Sequence, residues 1–158
     1  MHFIQRLGTQ FWLFRVLLPL AFVLAFLLIV YYAKQHSANR NDSKLRELQR
    51  LADETKVFPG FVEIASSSSS RAIDAGVYKS YRSSADFGSV KEYYVDTLNR
   101  SGWRLAKDKV KKSSAGDYAG SELVFKKADL QIVIEYAGSG LSPVEWNYAV
   151  NFVWRSQY

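Results

Sequence analysis

No cysteine occurs among the 158 residues, which excludes disulfides, thiolate metal ligands, thiol nucleophiles and a lipidated N-terminal cysteine. Histidine is nearly as scarce. The two copies, His2 and His36, flank an apolar run rather than lying in the C-terminal part of the chain, so Ser-His-Asp catalysis and histidine metal ligation have no candidate there. No glycine-rich loop opens a helix. Gly138-Ser139-Gly140 runs into Leu141, Ser142 and Pro143, which spells no phosphate cradle. A strong charge imbalance is also missing from residue 55 onward. Fourteen Lys and Arg stand there against eleven Asp and Glu, a net of plus three, too balanced to neutralise a phosphate track. Nucleic acid is therefore not an expected partner, and no cofactor or metal is expected.

What the chain does have is one long apolar run. Residues 16–33, VLLPLAFVLAFLLIVYYA, contain no charge and no amide. As a helix they rise about 27 Å, close to the hydrocarbon thickness of a bilayer, and satisfy their own backbone hydrogen bonds while crossing. Trp12 and Arg15 before the run, and Tyr31, Tyr32 and Lys34 at its end, are the residue types that rest at headgroup level. The reading is an N-terminal flank (1–15) and a transmembrane helix (16–33) with the lipid bilayer as partner. A cleaved secretory signal is the competing reading, because Arg6 and Arg15 resemble its basic region. The run exceeds the usual apolar core of about 7 to 15 residues, and no small-x-small site follows. Cutting after Ala33 would place Tyr31 at minus three, and cutting after Ala38 would place His36 there.

Residues 34–56 form the next division. The polar stretch 34–44, KQHSANRNDSK, reads as a juxtamembrane linker. A short amphipathic helix over about 42–55 follows, in which Leu45, Leu48, Leu51 and Ala52 share a stripe and Asp42 and Arg46 stand four apart. It serves as a spacer or as a weak self-association contact, although fewer than two heptads are present.

Residues 57–158 have the size of one ordinary domain. The five serines at 66–70 read as a loop between short β-type runs at 61–65 and 77–81. A helix is expected at 90–101. Ser89 would cap it, Glu92 would complete a capping box, Val90, Tyr93, Tyr94 and Leu98 share its face, and Gly102 ends it. Strands are expected from 103 to about 110, then at 122–127 and 130–136 about an Ala128-Asp129 turn. In a last strand Trp146, Tyr148, Val150, Phe152 and Trp154 alternate with smaller or polar residues. The fold class is α+β: a mostly antiparallel sheet of five or six strands with one helix on its apolar face.

The segment YYVDTLNRSGW, residues 93–103, followed by two hairpin strands, resembles small modules of bacterial lipoproteins and membrane-anchored envelope proteins, whose helices read YY-x3-L-x3-GW. The likeness covers about residues 57–136. It implies a cell-envelope setting, with a single span in the bacterial inner membrane and the C-terminal domain exported. It implies no activity. The positive-inside count points the other way, with Arg6 and Arg15 before the span against Lys34, Arg40, Lys44, Arg46 and Arg50 after it.

For chemistry, Glu63, Asp74, Asp86, Asp117, Asp129 and Glu135 are the carboxylates that could converge, and a glycosidase needs two. Most fall beside turns or on polar strand faces, where solvation explains them, so no catalytic residue is expected. Lys107, Lys109, Lys111 and Lys112 form the densest charge cluster. On a strand they either meet anionic headgroups or an acidic partner, at about 1 kcal/mol each, or guard a sheet edge. Tyr118 and Tyr158 fall off the core patterns and are candidate partner contacts. The polar positions Gln131, Glu135, Asn147 and Asn151 would mark a ligand surface if they lined a concave groove with aromatics. The expected function is a single-pass, non-catalytic accessory or scaffolding subunit of a larger membrane or envelope complex, with a protein partner. The alternatives are an anchored module binding a soluble ligand or cell-wall polymer, and a carboxylate-dependent hydrolase.

Overall fold

A computed structural model describes residues 3–71, 73–112, 118–138 and 146–155, with backbone alone for residues 3–16, 111, 112, 118 and 119. The elements in chain order are α1 (Phe3–Glu54), β1 (Val62–Ser70), β2 (Asp74–Arg82), α2 (Phe87–Arg100), β3 (Arg104–Lys112), β4 (Tyr118–Lys127), β5 (Leu130–Tyr136) and β6 (Tyr148–Arg155). The fold is α+β. All six strands pair antiparallel in the order β1-β2-β6-β5-β4-β3.

The chain divides into two compact units, residues 1–40 and 41–158. In the first, α1 contains a stretch long and apolar enough to cross a membrane. Its side chains from Leu17 to Tyr32 are exposed, Phe22 and Tyr32 by three quarters of their surface. Apolar surface of that extent is unfavourable in water and is relieved by lipid.

In the second unit, alternation along β4, β5 and β6 turns Leu123, Phe125, Ile132, Ile134, Tyr148, Val150, Phe152 and Trp154 to one face, all fully or almost fully buried. Val90, Tyr94 and Leu98 of α2 cover part of it. A six-stranded sheet spans about 24 Å across its strands, whereas a helix is about 10 Å wide, so α2 alone cannot cover it. The end of α1 supplies the remainder. Leu48 and Ala52 are buried in the same core, with Leu45 and Leu51 packed against it. The amphipathic stripe expected at 42–55 thus packs on the chain's own sheet, with Leu45 and Leu51 partly buried. Polar ties hold it in place. Asn41 donates to the Arg71 carbonyl at 2.6 Å, Lys79 approaches Asp53 at 3.6 Å, and Lys44 reaches Asp129 at 2.9 Å.

Several expected boundaries shift. Residues 34–44 are helical rather than a linker, because they contain no glycine or proline and sit between helical turns that propagate through them. The serine run is not a loop: Ser66 to Ser70 pair one by one with β2, from Ser66↔Lys79 to Ser70↔Ala75. α2 begins a turn earlier than expected, capped by Asp86 rather than Ser89. The Asp86 carboxylate accepts both the Ser89 amide (3.0 Å) and the Ser89 hydroxyl (2.7 Å), which together hold it below the ordinary carboxylate range. Its C-terminus is as expected. Gly102, at φ 80°, donates to Asn99 and Trp103 donates to Leu98, a Schellman arrangement in which Trp103 and Leu98 both enter the core. Trp146 lies outside β6 and is half-buried, while the four alternating residues after it are buried as expected.

The β4–β5 turn is pinned from the core side. Ala128 takes φ 52°, and Asp129 beside it accepts the Trp154 indole N–H at 2.8 Å as well as the Lys44 ammonium. Burial disfavours the charged form of both partners. Their hydrogen bond and mutual attraction, helped by Trp154 at Asp129 and by Glu47 at Lys44, outweigh it and hold Asp129 below its ordinary pKa of 3.8 and Lys44 above 10.5.

Two outcomes follow. Leu48→Ala in the full-length protein lowers unfolding stability by about 2–5 kcal/mol in a urea titration in detergent, the range for a buried leucine truncated in a core. Because the Asp129 pKa is depressed on folding, its contribution is present above about pH 4 and lost as pH falls through the lower folded value. Asp129→Asn therefore lowers the urea midpoint at neutral pH, and the gap from the parent narrows as the pH falls below about 4.

Candidate functional site

Among the described residues, no element covers the face of the sheet opposite the helices, and its strand register builds one continuous surface. Tyr78↔Asn151, Asn151↔Val133, Val133↔Val124 and Val124↔Lys107 are successive partners, so these five residues form a row across β2, β6, β5, β4 and β3. Residues two positions along these strands form parallel rows. One holds Ser80, Ala149, Glu135, Glu122 and Lys109, and the other Gly76, Val153, Gln131, Lys126 and Arg104. A shallow groove of about 370 Å³ is lined by Tyr78, Asn151, Gln131, Glu135, Glu122 and Lys107, with three valines as its apolar floor and Asp74 and Arg155 among its remaining walls.

Four polar groups in the groove are held in pairs. Asn151 donates to Glu135 at 3.1 Å, and Lys107 donates to Glu122 at 2.7 Å. Tyr78 extends along its own strand over Gly76, where a Cβ would overlap the phenol. Gly76 is thus the residue that lets the aromatic lie in the groove.

The carboxylates expected as candidates disperse. Glu63 lies in β1, Asp86 caps α2, and Asp129 is tied to Lys44 and Trp154. Asp117 lies outside the described residues. Asp74 shares the groove with Glu122 and Glu135 but sits six residues along β2 from the row of those two, about 20 Å at strand rise. Glu122 and Glu135 face each other across β4 and β5, one held by Lys107 and the other by Asn151. Among the described residues, no group of three His, Asp or Glu has metal-site geometry, and no buried side-chain polar atom lacks a partner.

The other expected site residues are placed as follows. The lysine cluster lies on β3, an edge strand, where lysine discourages pairing with a foreign strand. Lys107 leans into the groove, Lys109 is exposed, and Lys111 and Lys112 continue the same strand. Tyr118 is the first residue of β4 rather than part of a loop, and Tyr158 lies outside the described residues. Tyr31, Tyr32 and Lys34 are exposed along α1, while Trp12 and Arg15 are placed by their backbone in the same helix. Asn147 is not in the groove. Its side chain donates to the Ser83 carbonyl (2.6 Å) and accepts the Ser83 amide (3.0 Å), stapling the loop before α2.

Seven aromatics on the helix-covered side serve the packing. Phe58, Phe61, Tyr81, Tyr93, Tyr94, Tyr136 and Tyr148 form a chain of ring contacts at 4.8 to 6.5 Å. Burial, with the Glu63 charge adding to it, pushes the Tyr81 phenol up to about 12. Tyr94 is raised further by its own burial, although its oxygen accepts the Phe58 amide. The two tyrosines of the YYVDTLNRSGW segment therefore serve the fold: Tyr94 in the core and Tyr93 by donating to the Val57 carbonyl at 3.1 Å.

Tyr78, Gly76, Glu122 and the three valines of the groove were not singled out by sequence reasoning. Alternation along residues 74–82 carried the signal, with Ala75, Val77 and Tyr81 facing inward and Gly76 and Tyr78 outward. No family model, curated protein or solved structure matches this chain.

Proposed function

We propose that this chain is a single-pass, membrane-anchored, non-catalytic docking subunit that holds a protein partner of a larger membrane assembly against the open face of its sheet. The observation that carries the reading is the division of labour between the two sheet faces. One is closed by helices, and the other, which no described element covers, presents a groove in which Asn151 is tied to Glu135, Lys107 to Glu122, and Tyr78 lies over Gly76. The apolar stretch of α1 supports the anchored setting, and the dispersal of the carboxylates supports a binding role over hydrolysis. An exported domain at a bacterial inner membrane belongs to the same proposal, on the strength of the envelope-module resemblance.

A second reading has its own support. Asn151, Gln131 and Glu135 share a groove with Tyr78, the arrangement that suits a soluble ligand or a cell-wall polymer held by polar contacts and an aromatic ring.

The test is recovery of the tagged full-length protein in mild detergent, followed by mass and composition of the complex. The docking reading predicts stoichiometric recovery of a larger membrane protein. It also predicts at least about a tenfold loss of that recovery in a Tyr78→Ala, Asn151→Ala double variant, the scale of about 1.4 kcal/mol at an interface. Recovery of the chain without a second protein contradicts it, and so does a partner that ignores the double variant.

A further inference from the structure

The sheet has two edges, and they are protected unequally. β3 carries Lys107, Lys109, Lys111 and Lys112, and its register with β4 shifts twice, between Leu105 and Lys107 and between Lys111 and Lys112. Edge lysines and bulges are the devices that keep a foreign strand from pairing. β1, at the opposite edge, has neither over most of its length. Its one register shift lies at its start, between Glu63 and Ala65, and from Ala65↔Ser80 to Ser70↔Ala75 the ladder with β2 is unbroken. Residues 64–70 carry no charge and no proline. All of Val62 to Ser68 is exposed. Short hydroxymethyl side chains leave the outward main-chain N–H and C=O groups of this edge accessible, and the chemistry that satisfies such a row is another extended strand.

We propose that the β1 edge pairs antiparallel with the β1 edge of a second copy of this chain, about a two-fold axis at Ser67. Among the strand pairings open to two copies, this one closes. Joining β3 to β3 would set lysine against lysine, and joining β1 to β3 would leave a free edge of each kind and propagate. Pairing β1 with β1 leaves the lysine-guarded edges outermost. The register also fits the ends of the strand. Glu63 and Arg71 lie at opposite ends of the strand, so antiparallel pairing about Ser67 brings the acidic end of each copy towards the basic end of the other. Val62 and Ile73, exposed by 62% and 67%, flank the same two ends. Confinement of both copies to one bilayer raises their effective concentration, which so short a contact needs. The open face is not used, so the proposal is independent of the docking function.

The absence of native cysteine makes a direct test available. Residues opposed in an antiparallel pair have Cα atoms about 4.5–5.5 Å apart, within disulfide range. Full-length Ser67→Cys in membranes, treated with a mild oxidant, is expected to give a reducible band at twice the 18.0 kDa monomer mass. Lys109→Cys on the guarded edge gives none. Ala65→Cys and Ser69→Cys cross-link when mixed and not when alone, which reads the register. Adding Ser66→Lys and Ser68→Lys to Ser67→Cys abolishes the band. The proposal is overturned by an absent band for Ser67→Cys, by a band of equal strength for Lys109→Cys, or by an adduct to a protein other than a second copy.

Discussion

The burial of one sheet face is the constraint from which the rest of the structure follows. Trp154, Phe152, Val150 and Tyr148 on β6 and Ile132 and Ile134 on β5 must leave water together, and the face they build is wider than α2. Leu48 and Ala52 of α1 close the gap, so the stretch that follows the apolar span is a core element rather than a tether. The buried Asn41 contact and the Lys44–Asp129–Trp154 network then have an evident purpose. They fix where along the sheet that helical stretch lies.

Closing one face leaves the other as the surface on which evolution could build a site without disturbing the core. Asn151, Gln131 and Glu135 can change without altering Phe152, Ile132 or Ile134, because alternation puts them on the far side of the backbone from those three. The groove is accordingly polar and mixed in charge, and its single aromatic is present because Gly76 makes room for it. The edges follow a similar logic. Lysines and register shifts mark β3 as a strand that must remain unpaired, and β1 has no comparable guard over residues 65–70.

Much of this was legible in the sequence, and the remainder failed for identifiable reasons. The alternation at 148–154 and the Gly102 helix stop are strong local signals, and the structure follows them. The serine run misled because serine has no strong strand preference. Its conformation is imposed by the β2 ladder, a contact no local pattern records. The polar stretch 34–44 misled in the opposite direction: lacking apolar periodicity, it reads as a linker, yet nothing in it breaks a helix already formed on both sides. Asp86 displaced Ser89 as the cap because a carboxylate can take the amide and the hydroxyl of Ser89 at once. Of the groove, the polar half was visible as the outward positions of two strands. Tyr78 was not, because its role depends on the glycine two residues earlier and on its partner Asn151 in a distant strand.

The central claim is that the end of α1 belongs to the folded core of the C-terminal unit. Residue-resolved native-state hydrogen exchange on the full-length protein in detergent tests it most directly. The account predicts that the amides of residues 45–52 open with the same free energy, and the same urea dependence, as those of β5 and β6. Exchange of 45–52 at the rate of a fraying helix, with the strands still protected, would contradict it.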